Sequence, residues 1–236
     1  MNYFLDLPKR FAKSVATKCF FGINGGYDRA FCRLIESREF TAESMVLAYI
    51  QGMFPLGQPD GRIHWQTPDE RAVVAVDDVH VSKRVKTYLN KQKFTIKYNT
   101  EFETVVENCA GRDETWINQA LKDVYLELYQ KGVCHSVEAY EDGELVGGGF
   151  GLAIGDVFFL ESMYCSVDQA SKIAFIELSR QLKEDGFAWI DCQYLSEHWK
   201  RFGCKPVSRE ALVELVTQGL SRGARFGQSL QAPVSE

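Results

Sequence analysis

The sequence predicts an α/β (α+β) protein with a mixed, mostly antiparallel sheet, plus a small N-terminal region. Residues 115–212 alternate between helical and strand periodicity, and Asp142-Gly143, between two strand patterns, is the strongest short hairpin signal. The chain has 236 residues, of which 45% are hydrophobic, so it is long enough to bury a full core. This composition is that of an ordinary globular protein.

In the first half of the chain, a capped helix precedes three further patterned segments. Thr41 is a helix N-cap, and the helix runs to about Gln51, where Gly52 ends it. The stretch 53–68 is rich in proline and glycine and predicts a loop. A strand, a helix and a strand then follow over 72–76, 82–91 and 94–99.

The second half of the chain carries the clearer pattern. Thr115 caps a helix that runs to about residue 130. After it come strands over 136–140, 144–152 and 157–164, a helix over 169–183, a strand over 187–191, a short helix over 196–202 and a last helix from about Arg209. An antiparallel meander followed by a strand–helix–strand crossover is the order of the GNAT acyltransferase fold.

This order divides the chain into four parts. We expect an N-terminal extension of unclear role over 1–40, a small N-terminal region over 41–92, a GNAT-like domain over 93–220 and a flexible tail over 221–236. The fold by itself assigns no chemistry.

Charge and cysteine usage exclude some classes of protein. The net charge of −5 argues against a generally basic nucleic-acid binder, although Lys and Arg outnumber Asp and Glu in residues 1–100. No apolar run approaches the roughly 20 residues of a membrane helix. The seven cysteines form no C-x-x-C pair, which predicts reduced thiols and no metal site. We expect a cytoplasmic monomer that does not contact a membrane.

Candidate functional residues stand at the ends of two apolar runs. Strand alternation would place Asp191 and Gln193 on one face and Cys192 on the other, where it packs. A carboxylate beside an amide can hold, orient and partly deprotonate an amine. Glu161 follows a second apolar run and adds another carboxylate. The alternative is that Asp191 and Glu161 only satisfy backbone groups at strand ends.

Eight short stretches carry a resemblance to a known family, in order and in register over about residues 45–212. They are AYIQGMFP (48–55), HWQTPDERAVV (64–74), TWI (115–117), HSVEAYEDGELVGGGFG (135–151), ESMY (161–164), ASK (170–172), DCQ (191–193) and FGC (202–204) followed by Arg209. Together they resemble the leucyl/phenylalanyl-tRNA–protein transferases. The first forty residues do not look like that family's usual amino-terminal region.

The resemblance implies an aminoacyltransferase. Such an enzyme transfers Leu, Phe or Met from charged tRNA to the α-amine of a protein that begins with Arg or Lys, and so tags that protein for degradation in bacteria. Its partners are aminoacyl-tRNA and the acceptor protein, and it needs no cofactor, neither coenzyme A nor a metal. Residues 167–172 agree, because they lack the glycines of a pyrophosphate-binding loop.

The resemblance also implies roles for individual residues. Asp191 and Gln193 would orient the attacking amine, and Glu161 would hold the acceptor's basic side chain. Trp116 would pack on the terminal adenosine of the tRNA, while Phe158 and Phe175 would line the pocket for the donor side chain. Core packing is the alternative for these three aromatic residues. His135 and Glu138 fit the family strand and receive no catalytic role.

Three substrate-binding positions depart from the family pattern. Leu56 replaces a tryptophan that helps to hold the adenosine, and Gly149 replaces a large apolar residue of the amino-acid pocket. Leu160 replaces a glycine. We expect Gly149 to open the pocket and Leu160 to crowd it.

Basic residues of the first half are candidates for contact with the tRNA backbone. They are Arg71, Lys83, Arg84 and Lys86, and a solvated helix face is the alternative for the last three.

Other functions fit the same residues. One is transfer of the aminoacyl group to a different amine, and another is a non-catalytic protein that binds tRNA or a degron. A coenzyme A acetyltransferase is a more distant alternative.

Overall fold

Nine strands form two sheets in residues 39–112 and 114–231, which the computed structural model describes. The strands are β1 (Phe54–Gly57), β2 (Ile63–Gln66), β3 (Glu70–Ala75), β4 (Thr95–Tyr98), β5 (Cys134–Glu141), β6 (Glu144–Ile154), β7 (Val157–Cys165), β8 (Trp189–Asp191) and β9 (Lys205–Ser208). The α-helices are α1 (Ala42–Ile50), α2 (Lys83–Asn90), α3 (Phe102–Ala110), α4 (Gln119–Gln130), α5 (Ala170–Glu184), α6 (Glu197–Lys200) and α7 (Arg209–Gly219).

The larger sheet has seven strands in the order β4-β5-β6-β7-β8-β3-β9. Only β7 and β8 run parallel, and every other neighbouring pair of this sheet is antiparallel. The predicted fold class, a mixed and mostly antiparallel sheet in an α/β protein, is confirmed. β1 and β2 form a separate hairpin in the stretch predicted to be a loop.

Local sequence explains several boundaries. Asp142 and Gly143 both have positive φ, 52° and 88°, as a type I′ turn between β5 and β6 requires. The Thr41 side chain caps α1, and the Ser82 side chain caps α2. The turn and the Thr41 cap depend on contacts within three or four residues, which is why the sequence predicts them.

Other elements differ from the expectation. Helix α4 begins at Gln119, and its cap is Asn118, whose Oδ1 accepts a hydrogen bond from Leu121 N at 3.1 Å. Thr115, the predicted cap, instead accepts from the backbone N–H of Ile117. Helix α3 was not predicted, because Glu101, the residue directly before it, is not one of the usual N-cap residues. Its side chain makes no capping hydrogen bond.

Two apolar cores lie on the two faces of the larger sheet, because successive strand side chains alternate. On β7, Phe159 packs in the first core with residues of α1, α3, α4 and α7. Its neighbour Phe158 packs in the second core with residues of α5 and with Val85 of α2. β3, which belongs to the predicted 41–92 region, lies between β8 and β9 inside this sheet.

The predicted extension over 1–40 lies outside the described residues except for positions 39 and 40. At the other end, part of the predicted flexible tail is docked on the domain. The Asp185 carboxylate accepts hydrogen bonds from the backbone N–H groups of Gly227 and Ser229, and the Phe226 ring stacks on His135. In the described part of the chain, no helix is both long and apolar enough to cross a membrane.

Candidate active site

The candidate site lies where two parallel strands separate. The pairing of β7 with β8 ends at Phe159 opposite Asp191, after which β8 stops and β7 continues. On its other side, β7 carries a bulge: Leu160 and Ser162 pair with consecutive residues of β6, so Glu161 is the extra residue. A bulge re-aims a side chain and increases the local twist. It leaves Glu161 on the side of the first core, close to the end of β8.

Glu161 is a buried carboxylate held by two tyrosine hydroxyls. Tyr49 of α1 donates to Oε1, and Tyr125 of α4 donates to Oε2 at 2.7 Å. Burial raises the pKa of Glu161 to about 7, against the opposing effects of the two tyrosines and the Arg71 charge. The negative charge of Asp191 raises this pKa further. Glu161 therefore titrates near neutral pH.

Asp191 has one occupied and one unoccupied oxygen. Its Oδ1 accepts from Arg71 Nη2 at 2.9 Å and from the backbone N–H of Gln193 at 2.6 Å. Its Oδ2 is buried and has no hydrogen-bond partner within residues 39–112 and 114–231. Burial raises the pKa of Asp191, and the Arg71 guanidinium opposes that rise.

Gln193 is positioned by a turn. The strand ends at Asp191 as predicted, but the strand alternation expected for Gln193 is wrong, because this residue has a φ of 62°. A positive φ is uncommon for a residue other than glycine. The backbone hydrogen bond to Asp191 Oδ1 stabilises this turn, and the Gln193 carbonyl accepts from Ala72 N–H at 2.8 Å. Gln193 Nε2 is buried and without a partner in the described chain.

Arg71 is fully buried and cannot contact a tRNA backbone from the surface, which corrects that expectation. Besides Asp191, it contacts two residues of the segment after α1. Its Nη1 donates to the Gly52 carbonyl at 2.8 Å, and its guanidinium carbon lies 4.6 Å from the centre of the Phe54 ring. The side chain is thus a buried cation between the β3–β8 pair and the start of β1.

A cavity of about 320 Å³ opens beside Glu161. Three predicted site residues line it: Glu161, Trp116 and Phe175. The other lining residues are Arg112, Ser162, Met163, Ser171, Lys172, His198, Trp199 and Phe202. Aromatic and apolar walls with a few polar groups are typical of a small-molecule site.

The remaining predicted substrate residues do not line this cavity. Phe158 is buried in the second core, with its ring centre 6.0 Å from that of Phe226. Leu56 lies on β1 and packs against the first core. The next residue, Gly57, donates its N–H to the Trp116 carbonyl at 2.9 Å, which ties β1 to the segment that carries Trp116.

Neither Gly149 nor Leu160, the two residues expected to alter the amino-acid pocket, lines this cavity. A Cβ atom on Gly149 would lie 2.7 Å from Met163 Cγ and 2.8 Å from the Ser162 carbonyl oxygen. The Met163 side chain therefore fills the space that Gly149 leaves, and it is Met163 that lines the cavity. Leu160 is buried in the second core and is absent from the cavity wall.

Comparison with known proteins assigns the family. Residues 73–217 match the leucyl/phenylalanyl-tRNA protein transferase family, and residues 38–69 match the N-terminal domain of the same family. The chain belongs to this family. A leucyl/phenylalanyl-tRNA–protein transferase from Gloeobacter violaceus is 41% identical over 187 residues, which are 79% of this chain and 97% of that protein. One from Paramagnetospirillum magneticum is 37% identical and covers 81% of this chain and 95% of its own.

A solved structure shares the fold. The crystal structure of FemX superposes with a TM-score of 0.50 over 65% of each chain, at 11% sequence identity. A likeness at this identity concerns the fold alone.

Three residues, of which sequence reasoning overlooked two and gave Arg71 a different role, join the family's motifs into one site. Arg71 lies in the HWQTPDERAVV stretch, Tyr49 lies in AYIQGMFP, and Tyr125 lies on the apolar face of α4. A buried tyrosine hydroxyl normally finds a partner, so a tyrosine on an apolar helix face was a usable indication. For Arg71, the indication was a charged residue sharing a strand face with the buried Val73.

Proposed function

We propose that the protein transfers a leucyl, phenylalanyl or methionyl group from charged tRNA to the α-amine of proteins that begin with Arg or Lys. The transfer tags those proteins for degradation. The donor ester is already activated, so the enzyme has to bring the amine and the ester carbonyl together in the right orientation. Positioning of this kind should supply most of the acceleration here, because little base strength is needed.

The observation that carries this proposal is the pair of unpartnered polar atoms at the end of β8. Asp191 Oδ2 is a hydrogen-bond acceptor, and Gln193 Nε2 is a donor, and each is buried without a partner in the described chain. Buried polar groups are nearly always paired, so we take these two unpartnered atoms, on residues two apart in the chain, as the places where substrate binds. Oδ2 fits the N–H of an attacking amine, and Nε2 fits the carbonyl oxygen of the ester.

The reaction needs little base strength. An α-amine has a pKa of about 7.7–8.0, so a useful fraction is neutral at physiological pH. The amine nitrogen bonds to the ester carbonyl carbon, and the bond from that carbon to the ribose oxygen breaks. The proton that leaves the nitrogen ends on the ribose oxygen. Asp191 supports this step by accepting a hydrogen bond from the nitrogen as positive charge develops there.

The charges of the site favour a cationic acceptor. With Asp191 and Glu161 both ionised, two carboxylates face the single guanidinium of Arg71. The surplus negative charge attracts the α-ammonium and the basic side chain of the acceptor. Each carboxylate oxygen of Glu161 accepts from a tyrosine and keeps a second lone pair, so Glu161 can still bind the acceptor's Arg or Lys.

The cavity fits the donor end of the tRNA. Phe175 and Met163 offer an apolar wall to the Leu, Phe or Met side chain, and Trp116 offers a stacking surface to the terminal adenosine. Base stacking on an aromatic side chain contributes roughly 1–3 kcal/mol. Arg112 and Lys172 bring positive charge to the same wall, where phosphate groups of the tRNA end would lie.

The test is transfer of radiolabelled Leu, Phe and Met from charged tRNA to peptides that differ only in their first residue. The peptides begin with Arg, Lys, Ala or Glu, and a matched peptide begins with N-acetyl-Arg. We expect label on the free Arg and Lys peptides alone. The acetylated peptide has the same side chain without a reactive amine, so it separates transfer from adsorption.

Other outcomes would overturn parts of the proposal. Label on the Ala or Glu peptides would contradict the basic acceptor and support transfer to a different amine. Binding of charged tRNA with no label on any peptide would contradict the transferase activity and support a binding protein.

A further inference from the structure

Arg71 connects three parts of the site. Its side chain reaches the Asp191 carboxylate, the Gly52 carbonyl and the face of the Phe54 ring, and it is completely buried. The ion pair with Asp191 joins β3 to β8, where Val73 and Asp191 are also paired in the antiparallel register. A guanidinium can make these contacts together because it is planar and presents several donors in a fixed fork.

Arg71 also balances the charges around it. Its positive charge favours the ionised form of both Asp191 and Glu161. Burial of a charge is costly unless it is paired and hydrogen-bonded, so this cation makes two buried carboxylates possible at one place. The other titratable groups that act on these two carboxylates or on Arg71 are Tyr49, Tyr125, Cys134 and Cys192.

We infer that Arg71 is a positioning residue of the transfer reaction, which holds the Asp191 carboxylate so that Oδ2 faces the incoming amine. The inference rests on the proposed function. Arg71 Nη2 and the Gln193 N–H both bond to Oδ1, which fixes the plane of the carboxylate and leaves Oδ2 as the oxygen for the substrate. Arg71 is itself held by Gly52 and Phe54, so its position does not depend on Asp191 alone.

A lysine at this position would keep the charge and lose the fork. Its ammonium is a point charge on a flexible stem and cannot reproduce the geometry toward both Asp191 and Gly52. Misplacing a reacting group by about 1 Å can cost on the order of 10²-fold in rate. The charge of Arg71 and the geometry of its hydrogen bonds are therefore two separate contributions, and two substitutions distinguish them.

The experiment measures kcat/KM against pH for R71K and R71M, and repeats R71K in the background of D191N. We expect R71K to lower kcat/KM by about 10²-fold in the wild-type background. In the D191N background the same substitution should change kcat/KM less than about threefold, because its effect acts through the Asp191 carboxylate. R71M should move the acid limb of the profile to higher pH more than R71K does, since it removes the charge that lowers the pKa of both Asp191 and Glu161.

Controls separate positioning from folding. The matched control is R222K. Arg222 also pairs with a buried carboxylate, that of Asp156, but this pair lies outside the site, so R222K should leave kcat/KM unchanged. Thermal unfolding of each variant shows which proteins are folded at the assay temperature. If R71M does not fold, the effect of R71K in the wild-type and D191N backgrounds still tests whether Arg71 acts through Asp191.

Three results would overturn the inference: full activity of R71K, an equal loss in both backgrounds, or R71M and R71K with the same acid limb as the wild type. A wild-type protein that transfers no amino acid would contradict the proposed function instead.

Discussion

Two buried glutamates of the same sheet, Glu161 on β7 and Glu138 on β5, are stabilised in opposite ways. Glu138 accepts hydrogen bonds from the backbone N–H groups of Thr100 and Glu101 and from the Ser136 hydroxyl at 2.6 Å. These donors lie just before helix α3 and next to Glu138 on its own strand. Within residues 39–112 and 114–231, Glu161 accepts only from tyrosine side chains of α1 and α4.

The difference distinguishes a structural carboxylate from a functional one. Backbone N–H groups near a helix start are strong hydrogen-bond donors to a carboxylate. Among the described residues, Glu161 has only hydroxyl donors, and the charge of Asp191 raises its pKa, so its ionised form is costly in free energy. Glu161 also lines a cavity, where a ligand can reach it. Buried acids in clefts with perturbed pKa values are candidates for function, and Glu161 fulfils those conditions.

The largest expected effect is at Asp191. D191N keeps the shape and the Oδ1 contacts but removes the negative Oδ2, and we expect kcat/KM for transfer to fall by about 10³-fold. D185N is the matched control, since Asp185 is also buried but both its oxygens accept hydrogen bonds. It should lower the melting temperature and keep kcat/KM. Equal losses of activity in the two variants would contradict the role of Asp191.

The second prediction concerns stability and has opposite signs for the two glutamates. The pKa of Glu161 is raised to about 7 from an ordinary value of 4.5, so the folded state favours the protonated form. The stabilisation of the folded state by protonated Glu161 is fully present below about pH 4.5 and is lost as the pH rises through 7. E161Q removes this loss, and it should be more stable than the wild type by about 3 kcal/mol at pH 8 and nearly equal at pH 4.

E138Q should be less stable than the wild type at both pH values, by about 1–3 kcal/mol, because an amide N–H₂ cannot accept from the backbone donors. Urea unfolding of the three proteins at pH 4 and pH 8 measures these differences. A destabilised E161Q at pH 8 would mean that Glu161 is as well stabilised as Glu138.

The third prediction uses the same two substitutions and measures aminoacyl transfer. E161Q should lower kcat/KM by about 10²-fold. The neutral amide attracts the cationic acceptor less than a carboxylate does, and it cannot take up a proton from the acceptor. E138Q, assayed at a temperature at which it is folded, should stay within about threefold of the wild type. A large loss in E138Q alone would reverse the assignment of the two carboxylates.

The smallest effect is expected at the tyrosines of α4, which stand one turn apart. Tyr125 donates to Glu161, whereas Tyr129 donates to the Asn99 carbonyl at 2.9 Å. Y125F removes a bond that lowers the pKa of Glu161, so the acid limb of the rate profile should move to higher pH, with about a tenfold loss at pH 7. Y129F should leave the profile unchanged. A shift in both variants would indicate a general effect on α4.

The sequence predicted those parts of the fold that depend on neighbours in the chain. The hairpin at Asp142-Gly143 and the cap at Thr41 follow from residues that favour one local geometry. It also selected Asp191, Gln193 and Glu161 through short motifs. It missed helix α3, which Glu101 precedes without a side-chain cap, and the β1–β2 hairpin, whose proline and glycine residues were interpreted as a loop.

The sequence by itself determined the fold class, the family and the residues available for chemistry, because periodicity, turn residues and ordered motifs are all properties of the linear chain. Only the tertiary structure decided which residues meet. Arg71 pairs with Asp191 across 120 residues, and Tyr49 bonds Glu161 across 112. The bulge at Glu161 arises from pairing between strands, and the left-handed turn at Gln193 combines a local bond from its N–H to Asp191 Oδ1 with a long-range bond from Ala72 N–H to its carbonyl.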